Sequence, residues 1–353
     1  MSLEILVVDD SALLRRVECD IINSDNKFKV TDTCKDGLEA LEKLRTKKYD
    51  GVVLDINMPR MDGLELLQQL QKEKIKANIV MASTLTVEGA DEAIKSLELG
   101  AIDFVTKPSN IIEAKGDAFK KALLDVLYAA TKARVHFKKP PLTPAADKTA
   151  ASSVNRLKKP GQNKIIAIAS STGGPKALQS VIPKIPADID APVVLVQHMP
   201  AGFTSSMAAR LNELSKVQVK EAEDGELLKK GVVYIAPGGK HIVVNKKGVS
   251  HVIGYSDMPP IGGLKPCANI MFDSLGQTGF DEVVCVVLTG MGADGTNGIL
   301  SLGKKKSVHV IAQDESSCIV YGMPRAIYEA GVVDEVVALS KVAETITKNV
   351  GVK

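Results

Sequence analysis

The chain repeats one short pattern along nearly its whole length: a brief apolar run, a polar residue at its end, then a stretch with helical periodicity. From residue 3 to about 131 the runs are Glu4–Val8, Phe28–Thr33, Gly51–Leu54, Asn78–Ala82 and Ile102–Thr106. Periodic stretches such as Asp36–Lys47, Leu64–Glu73 and Glu88–Leu99 lie between them. Five β-α units in series imply a parallel sheet covered on both faces. Residues 165–350 alternate again, less regularly, with runs at Ile165–Ala169, Val193–Gln197, Val232–Ala236, Val283–Leu288 and Val308–Ala312. A β-hairpin is expected at His241–Asn245 and Val249–Gly254, around Lys246-Lys247-Gly248. The expected class is α/β throughout: an N-terminal (βα)5 unit, then a C-terminal unit with a mixed, mostly parallel sheet and a hairpin.

The two halves meet in a segment of different composition. Residues 132–164 hold nine Lys or Arg against one acid, Asp147, and include Pro140, Pro141, Pro144 and Pro160. Proline continues neither a helix nor a sheet ladder, and little apolar mass is present to bury. The segment reads as a linker, which sets the expected boundaries at 1–131, 132–164 and 165–353. Its net charge is +8 and the whole chain's is +3, so the remainder carries −5. Basicity is thus a property of the linker, which reads as a solvated tether or as an arm for an acidic or nucleic-acid partner.

Other limits are simple. A length of 353 residues suits two domains, and 45% apolar with 25% charged residues is ordinary for a soluble globular chain. Aromatics are 4%, without Trp, which argues against stacking on single-stranded nucleic acid. No apolar run approaches the roughly 20 residues of a membrane span. No basic segment leads an apolar one at Met1-Ser2-Leu3-Glu4, and the five cysteines show no paired spacing. The expectation is a reduced cytoplasmic protein with neither nucleic-acid binding nor membrane insertion.

In a parallel α/β sheet, chemistry gathers outside the carboxyl ends of the strands. In the first half those ends carry Asp9 and Asp10, Asp55, Ser83 and Thr84, and Lys107-Pro108. Three clustered carboxylates repel one another unless a divalent cation neutralises them, and oxygen ligands favour magnesium. A carboxylate beside Mg²⁺ can attack phosphorus and form an aspartyl phosphate. Taken singly, Asp10 reads as a helix cap and Asp55 as a turn acid before Pro59. Their concentration at strand ends favours a shared site.

The segments Leu6-Val7-Val8-Asp9-Asp10-Ser11, Leu54-Asp55-Ile56-Asn57-Met58-Pro59 and Phe104-Val105-Thr106-Lys107-Pro108 resemble a response-regulator receiver domain, a flavodoxin-like fold. The resemblance covers about residues 1–130. It implies that Asp55 is the phosphoacceptor. It also implies that Asp9, Asp10 and Asp55, joined by the Asn57 carbonyl, hold Mg²⁺, that Ser83 is the switch hydroxyl with Thr84 one residue away, and that Lys107 binds the phosphoryl group.

In the second half three strand ends are polar. Ser170-Ser171-Thr172-Gly173-Gly174-Pro175 runs from a strand into a helix, whose first N–H groups can stabilise an anion. Gln197-His198-Met199-Pro200 and Thr289-Gly290-Met291-Gly292-Ala293-Asp294-Gly295 end two others. A Ser, a His and an Asp so placed can supply a nucleophile, a base and an orienting carboxylate. Ser-Thr-Gly-Gly also reads as a plain cap and turn, His198 as a core histidine, His241 as a rival base and Asp294 as a turn closure.

Together with Ala236-Pro237-Gly238-Gly239-Lys240-His241, these segments resemble the catalytic domain of the CheB family of chemotaxis protein-glutamate methylesterases, over about residues 165–350. The resemblance implies Ser171 as nucleophile, His198 as general base and Asp294 as its orienting acid. It places Thr172 beside the nucleophile, the Met291 N–H in the oxyanion hole and His241 in the site lining. No cofactor is implied for hydrolysis. Ser170 stands where many relatives have Ala or Gly. Leu264-Lys265-Pro266-Cys267-Ala268-Asn269 stands where relatives often carry His-Arg-Pro-Ser-x-Asp, a change expected at the site rim.

The implied function is phosphorylation-regulated hydrolysis of glutamate γ-methyl esters on methyl-accepting chemoreceptors, with deamidation of receptor glutamines. A chemotaxis histidine kinase is the implied phosphodonor, and chemoreceptor clusters the implied location. The rivals are a receiver-regulated binding or transcriptional output and a receiver-coupled esterase for small molecules.

Overall fold

The computed structural model describes residues 2–84, 86–108, 110–132 and 163–352. The expected linker therefore falls almost wholly outside the described residues. The strands that precede it are β1 (Leu3–Val8), β2 (Phe28–Cys34), β3 (Gly51–Asp55), β4 (Ile79–Ser83) and β5 (Asp103–Thr106). They form one parallel sheet in the order β2-β1-β3-β4-β5. Helices α1 (Ala12–Asn23), α2 (Gly37–Thr46), α3 (Gly63–Lys72), α4 (Val87–Glu98), α5 (Ile111–Ala114) and α6 (Asp117–Lys132) alternate with or follow them. Every residue of β3 and β4 is buried, as central parallel strands require.

Short polar side chains start these helices. Ser11, Asp36 and Thr86 each accept a bond from a first-turn N–H of α1, α2 and α4. Asp62 and Glu65 form a reciprocal capping box at α3.

After the linker come β6 (Lys164–Ser170), α7 (Gly174–Val181), β7 (Val193–Gln197), α8 (Phe203–Leu214), β8 (Gln218–Glu221) and β9 (Val232–Ile235). Then follow β10 (His241–Lys247), β11 (Ser250–Ser256), α9 (Ala268–Ser274), β12 (Glu282–Val287), α10 (Thr296–Gly303), β13 (Ser307–Gln313), α11 (Met323–Glu329), β14 (Glu335–Val337) and α12 (Val342–Val350). Seven strands form a sheet in the order β14-β13-β12-β6-β7-β9-β8, and every pairing in it is parallel.

The antiparallel component expected in that sheet is separate. β10 and β11 pair as a two-stranded sheet with His241 opposite Ser256. The reason lies in packing. Ile242, Val244 and Ile253 of the hairpin join Met271 and Phe272 of α9 in one apolar cluster, and the free edge of β11 bonds to the segment Gly225–Leu228 and not to the seven-stranded sheet.

The two units are docked. α4 packs against α8, and the rings of Phe104 and Phe203 stack with centroids 4.5 Å apart. Arg210 clamps the Glu98 carboxylate with two bonds, of 2.6 and 3.0 Å.

One core position breaks the apolar pattern. Glu18, on α1, is buried with Oε2 unpartnered. Burial, and then the charge of Asp9, push its pKa up to about 8. A folded value above the ordinary one means the stabilisation is complete below about 4.5 and is lost as pH rises towards 8. Glu18→Leu should therefore stabilise the first unit increasingly between those limits, by at most about 1.4 kcal/mol per pH unit. Hydrogen exchange of the β1 amides in chelator reads this. An equal gain at pH 5 and pH 8 would contradict it.

Candidate functional site

Two polar centres sit at the switch points of the two sheets. In the first, β1 lies between β2 and β3, and its end places Asp9 and Asp10 beside Asp55 at the end of β3. Oxygen atoms of the three carboxylates lie within 4.8 Å of one another. Lys107 Nζ bridges Asp9, at 2.5 Å, and Asp55, at 2.7 Å, and all three groups are buried. Burial raises the Asp55 pKa to about 6 against the pull of Lys107, with Asp9 and Asp10 adding to the rise. Lys107 is displaced upward: burial disfavours its charge, but Asp55 and Asp9 outweigh that.

This donor set fits a divalent cation. It is all oxygen, it carries excess negative charge, and no N–H among the described residues donates to the Asn57 carbonyl. Asn57 itself is exposed. Ser83 is buried and donates to the Gly89 carbonyl at 2.7 Å, whereas Thr84 is exposed.

In the second centre, β6 lies between β12 and β7. Three loops leave the adjoining strand ends and are tied together. Ser171 N–H donates to the Thr289 carbonyl, and the Thr289 hydroxyl donates to the Thr172 carbonyl, both at 3.1 Å. The Gln197 amide donates to the carbonyls of Ser171 and His198 and accepts the Ser170 hydroxyl at 2.7 Å. Ser170 is thus consumed in the interior, while Ser171 is partly exposed and faces a cavity of about 850 Å³. Gly173 adopts φ +73°, and a Cβ on Gly174 would strike the Gln197 Oε1, so this turn needs its glycines.

His198 and Thr172 line the same cavity. His198 Nε2 lies 2.8 Å from Asp294 Oδ2. The Ser171 hydroxyl and the His198 ring are not bonded to one another. Asp294 also accepts the N–H groups of Ala268, Asn269 and Gly295 and the Cys267 thiol. Burial pushes the Asp294 pKa up, but His198, Cys267 and Ala268 more than offset this and hold it at about 2.

The remaining expected residues stand further out. Met291 is exposed, after a glycine so close to Ser171 that a Cβ there would sit 2.8 Å from the Ser171 Cβ. His241 is fully buried and absent from the cavity lining. Its Nδ1 accepts the Cys267 N–H at 3.1 Å, and its Nε2 meets the Pro259 carbonyl at 3.2 Å. Burial depresses its pKa. The unusual segment after Gly263 divides: Leu264, Lys265 and Pro266 line the cavity, while Cys267 and Asn269 contact Asp294.

Sequence reasoning passed over three supports, Gln197, Thr289 and Cys267. The first two stand in the strand-end motifs themselves; nothing local marks Cys267 as a neighbour of Asp294.

The first unit closes one side of the cavity. Asp103, Phe104 and Lys107 line it opposite Ser171 and His198. Burial raises the Asp103 pKa to about 7, opposed by bonds from the Phe104 and Gly173 N–H groups and the Thr172 hydroxyl.

A parallel α/β hydrolase centre fused to a phosphoacceptor-type carboxylate cluster is the class these observations define. The response regulator receiver domain model matches residues 5–115, and the CheB methylesterase model matches residues 166–346. A relative from Bacillus subtilis, "Protein-glutamate methylesterase/protein-glutamine glutaminase", is 42% identical over 356 residues, covering 98% of each chain. One of the same description from Halalkalibacterium halodurans is 41% identical, again over 98% of each. The solved CheB methylesterase catalytic domain of Thermotoga maritima is 40% identical, with TM-score 0.52, covering 53% of this chain and 99% of that one. The chain belongs to the CheB methylesterase family and carries a response regulator receiver domain. A transcriptional or binding output and a small-molecule esterase are not favoured. No helix among the described residues is long and apolar enough to cross a membrane.

Asp294→Ala would leave the donors of Cys267, Ala268 and Asn269 without their acceptor in a buried place, while the Gly295 N–H keeps the Asn269 Oδ1. A loss of about 3–5 kcal/mol is expected for the second unit. Urea unfolding measures it, and a loss under 1 kcal/mol would show that these bonds do not hold the loops.

Proposed function

We propose that Ser171, His198 and Asp294 hydrolyse glutamate γ-methyl esters on methyl-accepting chemoreceptors, and that the same site deamidates receptor glutamines. The observation that carries this is that His198, paired with the buried Asp294, lines the same cavity as Ser171. With Nε2 committed to Asp294, His198 has Nδ1 left to take the Ser171 proton as Oγ attacks the ester carbonyl. Catalytic bonds are commonly loose before substrate arrives, which accounts for the unbonded Ser171.

The anion that forms on the carbonyl oxygen meets the N–H of Met291. His198 returns its proton to the leaving methoxide, methanol departs, and water activated by His198 cleaves the acyl-enzyme to a receptor carboxylate. Asp294 remains ionised throughout and stabilises the imidazolium. Thr172 positions the turn, and His241 supports Cys267 from behind.

The receiver serves as a mask. Asp55 is the phosphoacceptor and a chemotaxis histidine kinase its donor. Asp9, Asp10, Asp55 and the Asn57 carbonyl would hold Mg²⁺, which supplies charge neutralisation for phosphoryl transfer. A phosphoryl group on Asp55 adds about −1.5 to −2 charge beside Lys107, whose own loop lines the cavity. Lys107 then re-pairs, Ser83 turns to the phosphoryl oxygens, and the seam of Phe104 on Phe203 loosens. The residues between Lys132, which ends α6, and Lys164, which begins β6, act as the tether, one residue inside each expected bound. The enzyme works in the cytoplasm, recruited to chemoreceptor clusters.

Ser171→Ala should abolish methanol release from methylated receptor; retention near the wild-type rate rejects the assignment. The mask also carries a pH signature. Asp103 sits at about 7 when docked, well above its ordinary 3.8. Docking is then strongest below about 4 and weakens as pH rises towards 7, by up to about tenfold per unit. Protection of α8 amides should fall across that range in the wild type and stay level in Asp103→Asn. Parallel curves for the two proteins would remove Asp103 from the seam.

A further inference from the structure

Asp294 receives one side-chain donor that the reaction above does not use. Among the described residues, His198 and Cys267 are the two side chains that bond to its carboxylate, the rest being backbone N–H groups. Cys267 Sγ lies 3.1 Å from Asp294 Oδ1, on the oxygen that His198 does not touch. The thiol is buried, and burial, with the Asp294 charge behind it, pushes its pKa up to about 12. It is therefore an S–H group at any working pH, a donor and not a nucleophile.

Its place is fixed from the other side. The Cys267 N–H donates to His241 Nδ1, which leaves Nε2 to carry the His241 proton towards the Pro259 carbonyl. A continuous relay of contacts runs from Pro259 through His241 and Cys267 to Asp294 and His198.

We propose that Cys267 is a positioning residue for the hydrolytic reaction: its thiol holds Asp294 Oδ1, so that Oδ2 is presented to His198 Nε2. The proposal rests on the reading of Ser171, His198 and Asp294 as the reacting group. A thiol is a weak donor, so it orients the carboxylate while drawing little charge from it. A hydroxyl in its place stabilises the carboxylate anion more and weakens its support for a protonated His198. An apolar side chain gives the opposite shift in basicity and releases the orientation.

The test uses the full chain as wild type, Cys267→Ser and Cys267→Val. Ring-¹⁵N titration follows His198, and methanol release from methylated receptor follows turnover. The other titratable groups near this pair are His241 and Lys265, with Asp103, Lys107 and Glu113 lining the cavity beyond, and none is changed by the substitutions. The Val variant should lose about tenfold in kcat with KM within twofold, and its His198 should titrate above wild type. The Ser variant should recover kcat to within about threefold, with His198 titrating below wild type.

A merely space-filling Cys267 would leave the His198 titration unmoved, and that result overturns the proposal. Should the Val variant fail to fold, the Ser variant decides alone: an unchanged titration rejects the role. Methanol release that survives Ser171→Ala would sink the reaction instead, and the titrations would still judge Cys267.

Discussion

A parallel sheet wrapped on both faces leaves charged groups nowhere to stand except the ends of its strands. β3 and β4 are buried throughout, and β12 in all but its first residue, so the middle of either sheet can host no ion. Strand order then decides which ends gather. β1 has β2 on one side and β3 on the other, and β6 has β7 and β12. At each of these points the chain departs in opposite directions and leaves a crevice. Asp9, Asp10, Asp55 and Lys107 occupy one crevice; Ser171, His198 and Asp294 occupy the other.

Docking makes these two crevices neighbours. Lys107 and Ser171 line a single cavity, although one belongs to each sheet. A change of charge at Asp55 therefore has no sheet to cross on its way to the hydrolytic centre. The turn that follows β5, from Thr106 to Pro108, lines that cavity directly. The seam beside that turn mixes one aromatic stack, Phe104 on Phe203, with a charged clamp, Arg210 on Glu98. Such a seam is specific in register, because a planar stack and a two-bond clamp each admit one geometry.

Much of this is legible in the sequence. Ten apolar runs marked ten strands of the two parallel sheets, most of them because strands buried on both faces must be apolar nearly throughout; β2, at an edge, is only partly buried. The strands that escaped notice are β8, Gln-Val-Lys-Glu, and β14, Glu-Val-Val. Both lie at sheet edges, where polar residues meet solvent and periodicity disappears. The site residues were legible for the same reason as the strands: a polar group directly after a buried run is conspicuous. What stayed hidden was contact between distant segments. Cys267 is 27 residues from Asp294, and Asp103 is separated from Thr172 by the linker. Neither pairing leaves a local trace, and Asp103 looks like an ordinary strand residue until a second unit is laid on it.

The two centres treat a buried carboxylate in opposite ways, and the difference follows from their donors. Asp294 has a histidine, a thiol and three N–H groups converging on two oxygens, and its pKa stays at about 2. Its oxygens are fully engaged by these donors. Asp55 has a single cation, which it shares with Asp9, while burial and two acidic neighbours lift its pKa to about 6. Its negative charge is poorly compensated, so a cation or a change in covalent state at Asp55 relieves it. A fully satisfied carboxylate suits a fixed part of a reaction centre, and an under-satisfied one suits a switch. Because Lys107 is the one cation among the described residues paired with both Asp9 and Asp55, any new negative charge at Asp55 must redraw its bonds. Its loop also lines the cavity that holds Ser171 and His198.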